Sequence, residues 1–209
     1  KRAKKVIAVE KDKALESTLK ELDCLKLSVV FKDALSFKKE GLKDLQYKLA
    51  ANLPYYAAAP ILRSFLETKP RPSLIAVLVQ KEVAQRLCAV PPKMNLLAAS
   101  VQLWGETKLI RYISRKSFKP TPKVDSALVR IIPKQPIESF KDIDIYYKTI
   151  HILFRSPRKT IANNLKPTID KRILEKDGFD PKLRPQNLSI EDIKKLSKLF
   201  TRQEAQRRL

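Results

Sequence analysis

Residues 73–79, Ser-Leu-Ile-Ala-Val-Leu-Val, are the most constraining stretch of this 209-residue chain. Their apolar run is continuous rather than alternating, the pattern of a strand buried on both faces inside a sheet with helices on either side. It is also far shorter than the roughly 20 residues that a membrane span requires. Three shorter runs precede it: residues 6–10 (VIAVE), 27–31 (LSVVF) and 47–51 (YKLAA). Helical spacing separates or follows these runs at 14–22, 60–66, 80–87 and 93–104, and two more strands are expected at 109–113 and 126–132. Strands that alternate with helices predict an α/β fold built on a parallel sheet. Beyond Pro133 and Pro136 the strand pattern stops. Helical segments follow at about 144–154, 157–165, 170–176 and 189–200, with Ser189 and Asp192 at capping-box spacing. The expected organisation is an α/β domain over 1–135, a small all-α domain over 136–200 and a basic tail over 201–209.

In a parallel sheet, ligands bind at the carboxyl ends of the strands. Three polar side chains fall there: Glu10, Asp33 and Asn52. Strands often end in charged residues and Asp is a common helix cap, so Glu10 and Asp33 alone carry little information. The third belongs to Asn52-Leu53-Pro54-Tyr55-Tyr56, in which an amide precedes a rigid proline and two aromatic rings. The Asn oxygen can accept from an exocyclic amine while a Tyr ring stacks on a heteroaromatic base. As an isolated tetrapeptide, the same residues would be a turn with packing aromatics. A second stiff connector, Phe118-Lys119-Pro120-Thr121-Pro122-Lys123-Val124-Asp125-Ser126, can hold Phe118 in a fixed place, either as another aromatic wall or as a plug at the end of the sheet.

Lysine and arginine number 44 against 22 acids, a net charge of +22. That excess predicts a polyanionic partner, nucleic acid ahead of a membrane, since no basic amphipathic anchor stands out. Arg155, Arg158 and Lys159 cluster in Arg155-Ser156-Pro157-Arg158-Lys159-Thr160 at an expected helix start, where the dipole disfavours cations unless phosphates neutralise them. Cys24 and Cys88 are far apart with no clustered histidines, which predicts two inert thiols in a reduced, cytoplasmic protein and no metal site. His151, the single histidine, lies in an apolar helical run and is expected to be packed.

Taken in order, residues 6–10, Lys32-Asp33-Ala34, Asn52 to Tyr55, Leu78-Val79-Gln80-Lys81-Glu82-Val83, 118–126 and 154–165 resemble the bacterial small-subunit ribosomal RNA adenine dimethyltransferases. The likeness extends over nearly the whole chain. It implies a Rossmann-like methyltransferase sheet, S-adenosylmethionine as cofactor, small-subunit rRNA as partner, and a monomer. The implied reaction dimethylates the exocyclic amines of two adjacent adenosines near the rRNA 3′ end. By the same resemblance Glu10 holds the cofactor ribose, Asp33 its adenine, and Asn52 with the Leu53 carbonyl the target amine. Pro54 keeps the corner rigid, Tyr55 and Phe118 stack, and Arg155, Arg158 and Lys159 meet the rRNA. The related erythromycin-resistance enzymes share the N-[IL]-P-Y corner, whereas Gln80-Lys81-Glu82 and Pro122-Lys123-Val124-Asp125-Ser126 favour the small-subunit branch.

The chain departs from the family in two places. Ala57-Ala58-Ala59 stands where a Ser or Thr is usual, and the glycine-rich cofactor loop and first strand are missing, with only Gly41, Gly105 and Gly178 in the chain. That strand would lie between those ending at Glu10 and Asn52, so the chain is expected to be part of a longer protein. Two alternatives have other functions: a non-catalytic RNA-binding assembly factor on the same scaffold, and a DNA adenine methyltransferase, which leaves the helical domain unexplained.

Overall fold

A computed structural model describes residues 3–206 except 23, 38, 40, 41, 43, 44, 55, 56, 135–142 and 167. The strands are β1 (Val6–Glu10), β2 (Leu27–Phe31), β3 (Lys48–Asn52), β4 (Leu74–Gln80), β5 (Gly105–Ile113) and β6 (Ser126–Pro133). The helices are α1 (Glu16–Lys20), α2 (Ala58–Glu67), α3 (Lys81–Leu87), α4 (Leu96–Gln102), α5 (Ile143–Arg155), α6 (Ile161–Leu165), α7 (Lys171–Lys176) and α8 (Ile190–Gln206). The pairings β1–β2 and β3–β4 are parallel, while β6 runs antiparallel to both β4 and β5. Two sheets result, β1-β2 and β3-β4-β6-β5. The interruption separates β1 from β3, the position at which the sequence places the missing strand.

The four-stranded sheet is buried unevenly. In β4, Ile75, Val77 and Val79 are fully covered, but Leu74, Ala76, Leu78 and Gln80 are only half-buried. The expectation of a strand buried on both faces is therefore corrected. Among the described residues, helices pack on the Ile75 side, where α3 meets β4, β5 and β6, and α4 meets β5. One core runs from Leu53 and α2 through Trp104 to Ile150, Leu153 and Phe200, so the helical segment shares its apolar interior with the sheet.

Several element boundaries are set by contacts that strand and helix patterns do not encode. β5 begins four residues before the expected 109, because Gly105 can lie close against β6. A Cβ there would sit 2.8 Å from Ile131 Cγ2 and 2.9 Å from the Ile132 carbonyl oxygen. Asn95 caps α4 by accepting from the Ala98 N–H at 3.1 Å, which delays the helix to Leu96. The first expected helix splits into a 3-10 turn, Lys13–Leu15, capped by Asp12, and the short α1. Lys39 is buried and donates to the Ser64 carbonyl at 2.8 Å and the Thr68 carbonyl at 3.0 Å, closing the C-terminus of α2. It thereby ties the chain after β2 to the helix after β3.

The helical segment is fastened through two adjacent tyrosines of α5. Tyr146 donates its hydroxyl hydrogen to the Ala99 carbonyl at 2.9 Å. Tyr147 donates to Glu67 and accepts from the Trp104 indole at 2.9 Å. Arg63 pairs with the same Glu67 oxygen at 2.7 Å and lies over the Tyr147 ring. Tyr147 thus joins α2, α5 and the α4–β5 junction in one partly buried polar network, and Tyr146 adds a separate buried bond to α4.

Candidate active site

Glu10 closes β1 and Asp33 follows β2 by two residues, so the parallel pairing brings the two carboxylates to the same end of their sheet. One oxygen of Glu10, Oε1, accepts the backbone N–H of Lys11 at 2.7 Å and of Asp12 at 2.9 Å. That fixes the carboxylate and leaves Oε2 without a hydrogen-bond partner among the described residues. Both Asp33 oxygens are engaged: Oδ1 accepts from the Leu35 N–H at 2.9 Å, and Oδ2 takes the Lys11 ammonium at 2.9 Å. The Leu35 N–H, followed by Lys11, holds the Asp33 carboxyl below the usual carboxylate range. Lys11 belongs to no motif in the sequence. Its only signal is its place directly after Glu10, and β1–β2 pairing is what carries its ammonium across to Asp33.

Asn52 ends β3, opposite Leu78 of β4. It is exposed, and its carboxamide has no hydrogen-bond partner among the described residues. Its neighbour Leu53 is buried, and the Leu53 N–H donates to the Leu78 carbonyl at 3.1 Å. The ladder therefore extends one residue past the strand and anchors the backbone that presents Asn52. Pro54 is exposed, and its carbonyl accepts from the Ala57 N–H at 3.0 Å, turning the chain into α2. Tyr55 lies outside the described residues. Ala57 and Ala58 are both buried against the core, so their methyl groups serve as packing.

Phe118 is half-buried at the end of a 3-10 turn, Arg115–Ser117, that follows β5. Its carbonyl accepts from the Thr121 hydroxyl at 3.3 Å. The connector is fastened at its far end by Asp125, whose carboxylate accepts the Arg115 N–H at 3.0 Å and whose carbonyl accepts the Lys81 N–H at 3.0 Å. These bonds fasten both ends of the connector, Arg115 and Asp125, to the start of α3, which continues directly from β4.

The basic cluster differs from its expected placement. Arg155 ends α5, where the dipole favours a cation, and α6 starts only at Ile161 with Thr160 as its cap. Arg158 and Lys159 occupy the exposed turn between the two helices. The Asn164 side chain shapes that turn by donating to the Ser156, Lys159 and Thr160 carbonyls at 3.1 to 3.2 Å. Among the described residues none of the three cations makes an ion pair, so their charge is available to solution. His151 is also corrected: it is exposed on α5 and not packed. Cys24 is exposed and Cys88 half-buried, both as free thiols. No group of His, Cys, Asp or Glu that could hold a metal occurs among the described residues, and no described helix is long and apolar enough to cross a membrane.

Comparison with known proteins gives a consistent result. The family model described as ribosomal RNA adenine dimethylase matches residues 1–202. Ribosomal RNA small subunit methyltransferase A of Dehalococcoides mccartyi is 38% identical over 209 residues, which span 94% of this chain and 71% of that protein. The proteins of the same name from Clostridium botulinum and Halothermothrix orenii are 36% and 33% identical, covering 94% of this chain and 76% and 71% of theirs. Among solved structures, a dimethyladenosine transferase from Plasmodium falciparum superposes with a TM-score of 0.78 over 97% of this chain and 84% of its own, at 23% identity. The 23S rRNA methyltransferase ErmE does so at 0.74 over 97% and 83%, at 22% identity. These two likenesses establish a Rossmann-like methyltransferase fold. With a family match over nearly its whole length and relatives above 30% identity, the chain belongs to the ribosomal RNA adenine dimethylase family.

Proposed function

We propose that this protein dimethylates the exocyclic amines of two adjacent adenosines near the 3′ end of small-subunit rRNA, with S-adenosylmethionine as methyl donor. The observation that carries the reading is Asn52: an exposed, uncommitted carboxamide at the carboxyl end of a parallel strand, held by the buried Leu53 anchor beneath it.

The residues present suit that donor. Glu10 keeps one carboxylate oxygen open to accept from vicinal ribose hydroxyls. Asp33 can accept from an adenine amino group through its remaining lone pairs, sharing its oxygens with Lys11 and the Leu35 N–H. S-adenosylmethionine supplies a methyl group on a sulfonium, an electrophile that requires neither metal nor strong base.

The chemical difficulty lies with the nucleophile, since the adenine amino lone pair is delocalised into the ring. The Asn52 oxygen and the Leu53 carbonyl accept from the two amine hydrogens, which draws the nitrogen out of conjugation and aims its lone pair. Tyr55 and Phe118 stack on the base after it has left its own stack in the RNA. Bound S-adenosylmethionine would supply the methyl group to the nitrogen that Asn52 and Leu53 hold in line, and the amine proton would pass to solvent. No histidine is needed for this. Arg155, Arg158 and Lys159 hold the rRNA backbone from the α5–α6 turn.

The test is methyl transfer from labelled S-adenosylmethionine to under-methylated small subunits. Asn52→Ala is expected to abolish transfer while leaving rRNA affinity nearly intact. Equal turnover by variant and wild type removes Asn52 from the site, and no transfer by wild type removes the function.

A further inference from the structure

We infer that Tyr112 is a stacking platform for an unpaired rRNA base flanking the target adenosines, an assignment that rests on the rRNA-modifying function proposed above. Tyr112 lies on β5, and its position there depends on a bulge. Thr107 and Leu109 pair with Ile131 and Val129 on the helix-covered face, and the register then slips between Leu109 and Arg111. Without that extra residue, strict alternation would send Tyr112 to the opposite face. With it, Tyr112 pairs with Ala127 and points to the side where α3 packs. Bulges of this kind re-aim side chains near functional sites.

On that side the ring is held in place while remaining open. The Lys81 ammonium lies over it at 5.2 Å, the Gln85 amide donates to its hydroxyl at 3.4 Å, and 51% of the residue is still exposed. Besides Lys81, three exposed cations lie close to it along the chain: Arg111 on β5, and Arg115 and Lys116 in the turn that follows β5. The neighbouring acid Asp125 is committed to the Arg115 N–H. A half-exposed aromatic ring braced by a cation, with further cations beside it, has the chemistry that binds single-stranded nucleic acid: stacking for the base and charge for its phosphates.

The location matches the proposed site. Ile113, Ser126 and Gln80 pair across β5, β6 and β4 at the carboxyl end of β4, so Tyr112 lies one residue from the edge at which β3 presents Asn52. Three strand spacings separate β3 from β5, about 14 Å along the sheet, and the pairing of Asn52 with Leu78 and of Tyr112 with Ala127 puts the two on opposite faces of that edge, so a strand joining them passes over the end of the sheet. A few nucleotides of single strand bridge that span, so a base near the target can stack on Tyr112 while the target adenosine occupies the Asn52 corner.

The experiment measures binding of an unmethylated 3′ fragment of small-subunit rRNA by filter retention, and methylation kinetics on under-methylated subunits, for the full chain, Y112A and Y112F. Y112A is expected to weaken binding by roughly fivefold to a hundredfold and to raise KM rather than lower kcat, with Y112F restoring affinity to within about twofold. The salt dependence of binding should not change, since a neutral ring displaces no counterions. Wild-type affinity in Y112A overturns the proposal, and so does a Y112F as weak as Y112A. Binding is read separately from catalysis, so a wild-type chain that binds the fragment but transfers no methyl overturns the dimethylation reading alone, while the Y112A-to-wild-type binding ratio still supports or overturns the Tyr112 assignment.

Discussion

Glu10, half-buried, and Asn52, exposed, show how a side chain can reach solvent and still be well placed. In each case the backbone is fixed by ladder hydrogen bonds, and part of the polar group stays uncommitted: Oε2 of Glu10 and the Asn52 carboxamide. Asp33 is different, because Lys11 and the Leu35 N–H already hold it as the anion. Lys159 is held through its backbone, by Asn164 at its carbonyl and by the Ser156 carbonyl at its N–H, and Arg158 and Lys159 are both exposed in that turn. If they neutralise rRNA phosphates, Arg158→Ala with Lys159→Ala should make the slope of log affinity against log salt shallower by roughly 1.4 to 1.8. An unchanged slope, measured by titrating binding between low and physiological salt, would remove the turn from the interface. The residue types at these positions could be picked out from the sequence, but the Lys11–Asp33 bond could not, since 22 positions separate its partners.

Among the elements, α8 shows local sequence and structure in agreement. Ser189 and Asp192 bond reciprocally, with the Ser189 N–H donating to Asp192 Oδ2 at 3.0 Å and the Asp192 N–H donating to Ser189 Oγ at 3.1 Å. The capping box expected from spacing is formed, and the helix it starts continues to Gln206. Ser189→Ala should cost about 1 kcal/mol, measured by urea unfolding, because α8 packs its buried face on α5 and cannot fray independently. The α5–α6 turn shows the opposite. Periodicity extends the second helix back to Pro157, but Asn164 folds residues 156–160 into a turn and Thr160 takes the cap. A competing side-chain-to-backbone bond overrides helical spacing there.

Across the whole molecule, the buried phenols give a stability dependence with a definite sign. Burial pushes Tyr47 and Tyr147 up to about 12 and raises Tyr146 further. A phenol whose folded value exceeds its unfolded value of about 10 contributes stability that is complete below pH 10 and lost as pH rises towards 12. Lys39 and Lys134, held below the ordinary lysine value by burial, act in the opposite sense, so the comparison that isolates a phenol is with its Phe variant. Tyr147→Phe should cost about 1–2 kcal/mol near neutrality, from the lost bonds to Glu67 and Trp104. Its deficit relative to wild type should narrow between pH 10 and 12, as read from urea midpoints across that range. A constant deficit would mean that the hydroxyl does not titrate with unfolding.

The sequence alone determined the α/β alternation, the helical end, the Asn52-Leu53-Pro54 turn that follows β3, the α8 cap and the family, because each rests on spacing or on a short motif whose physics is local. Tertiary structure decided which face of β4 is covered, the start of β5, the exposure of His151, the Lys11–Asp33 pair and the turn of Tyr112 towards α3. These depend on groups distant in the chain: a close approach at Gly105, strand pairing that brings Lys11 to Asp33, and a bulge that changes which side a residue points to. Periodicity records which residues prefer water or oil, and it carries no term for the neighbour that arrives from elsewhere in the chain.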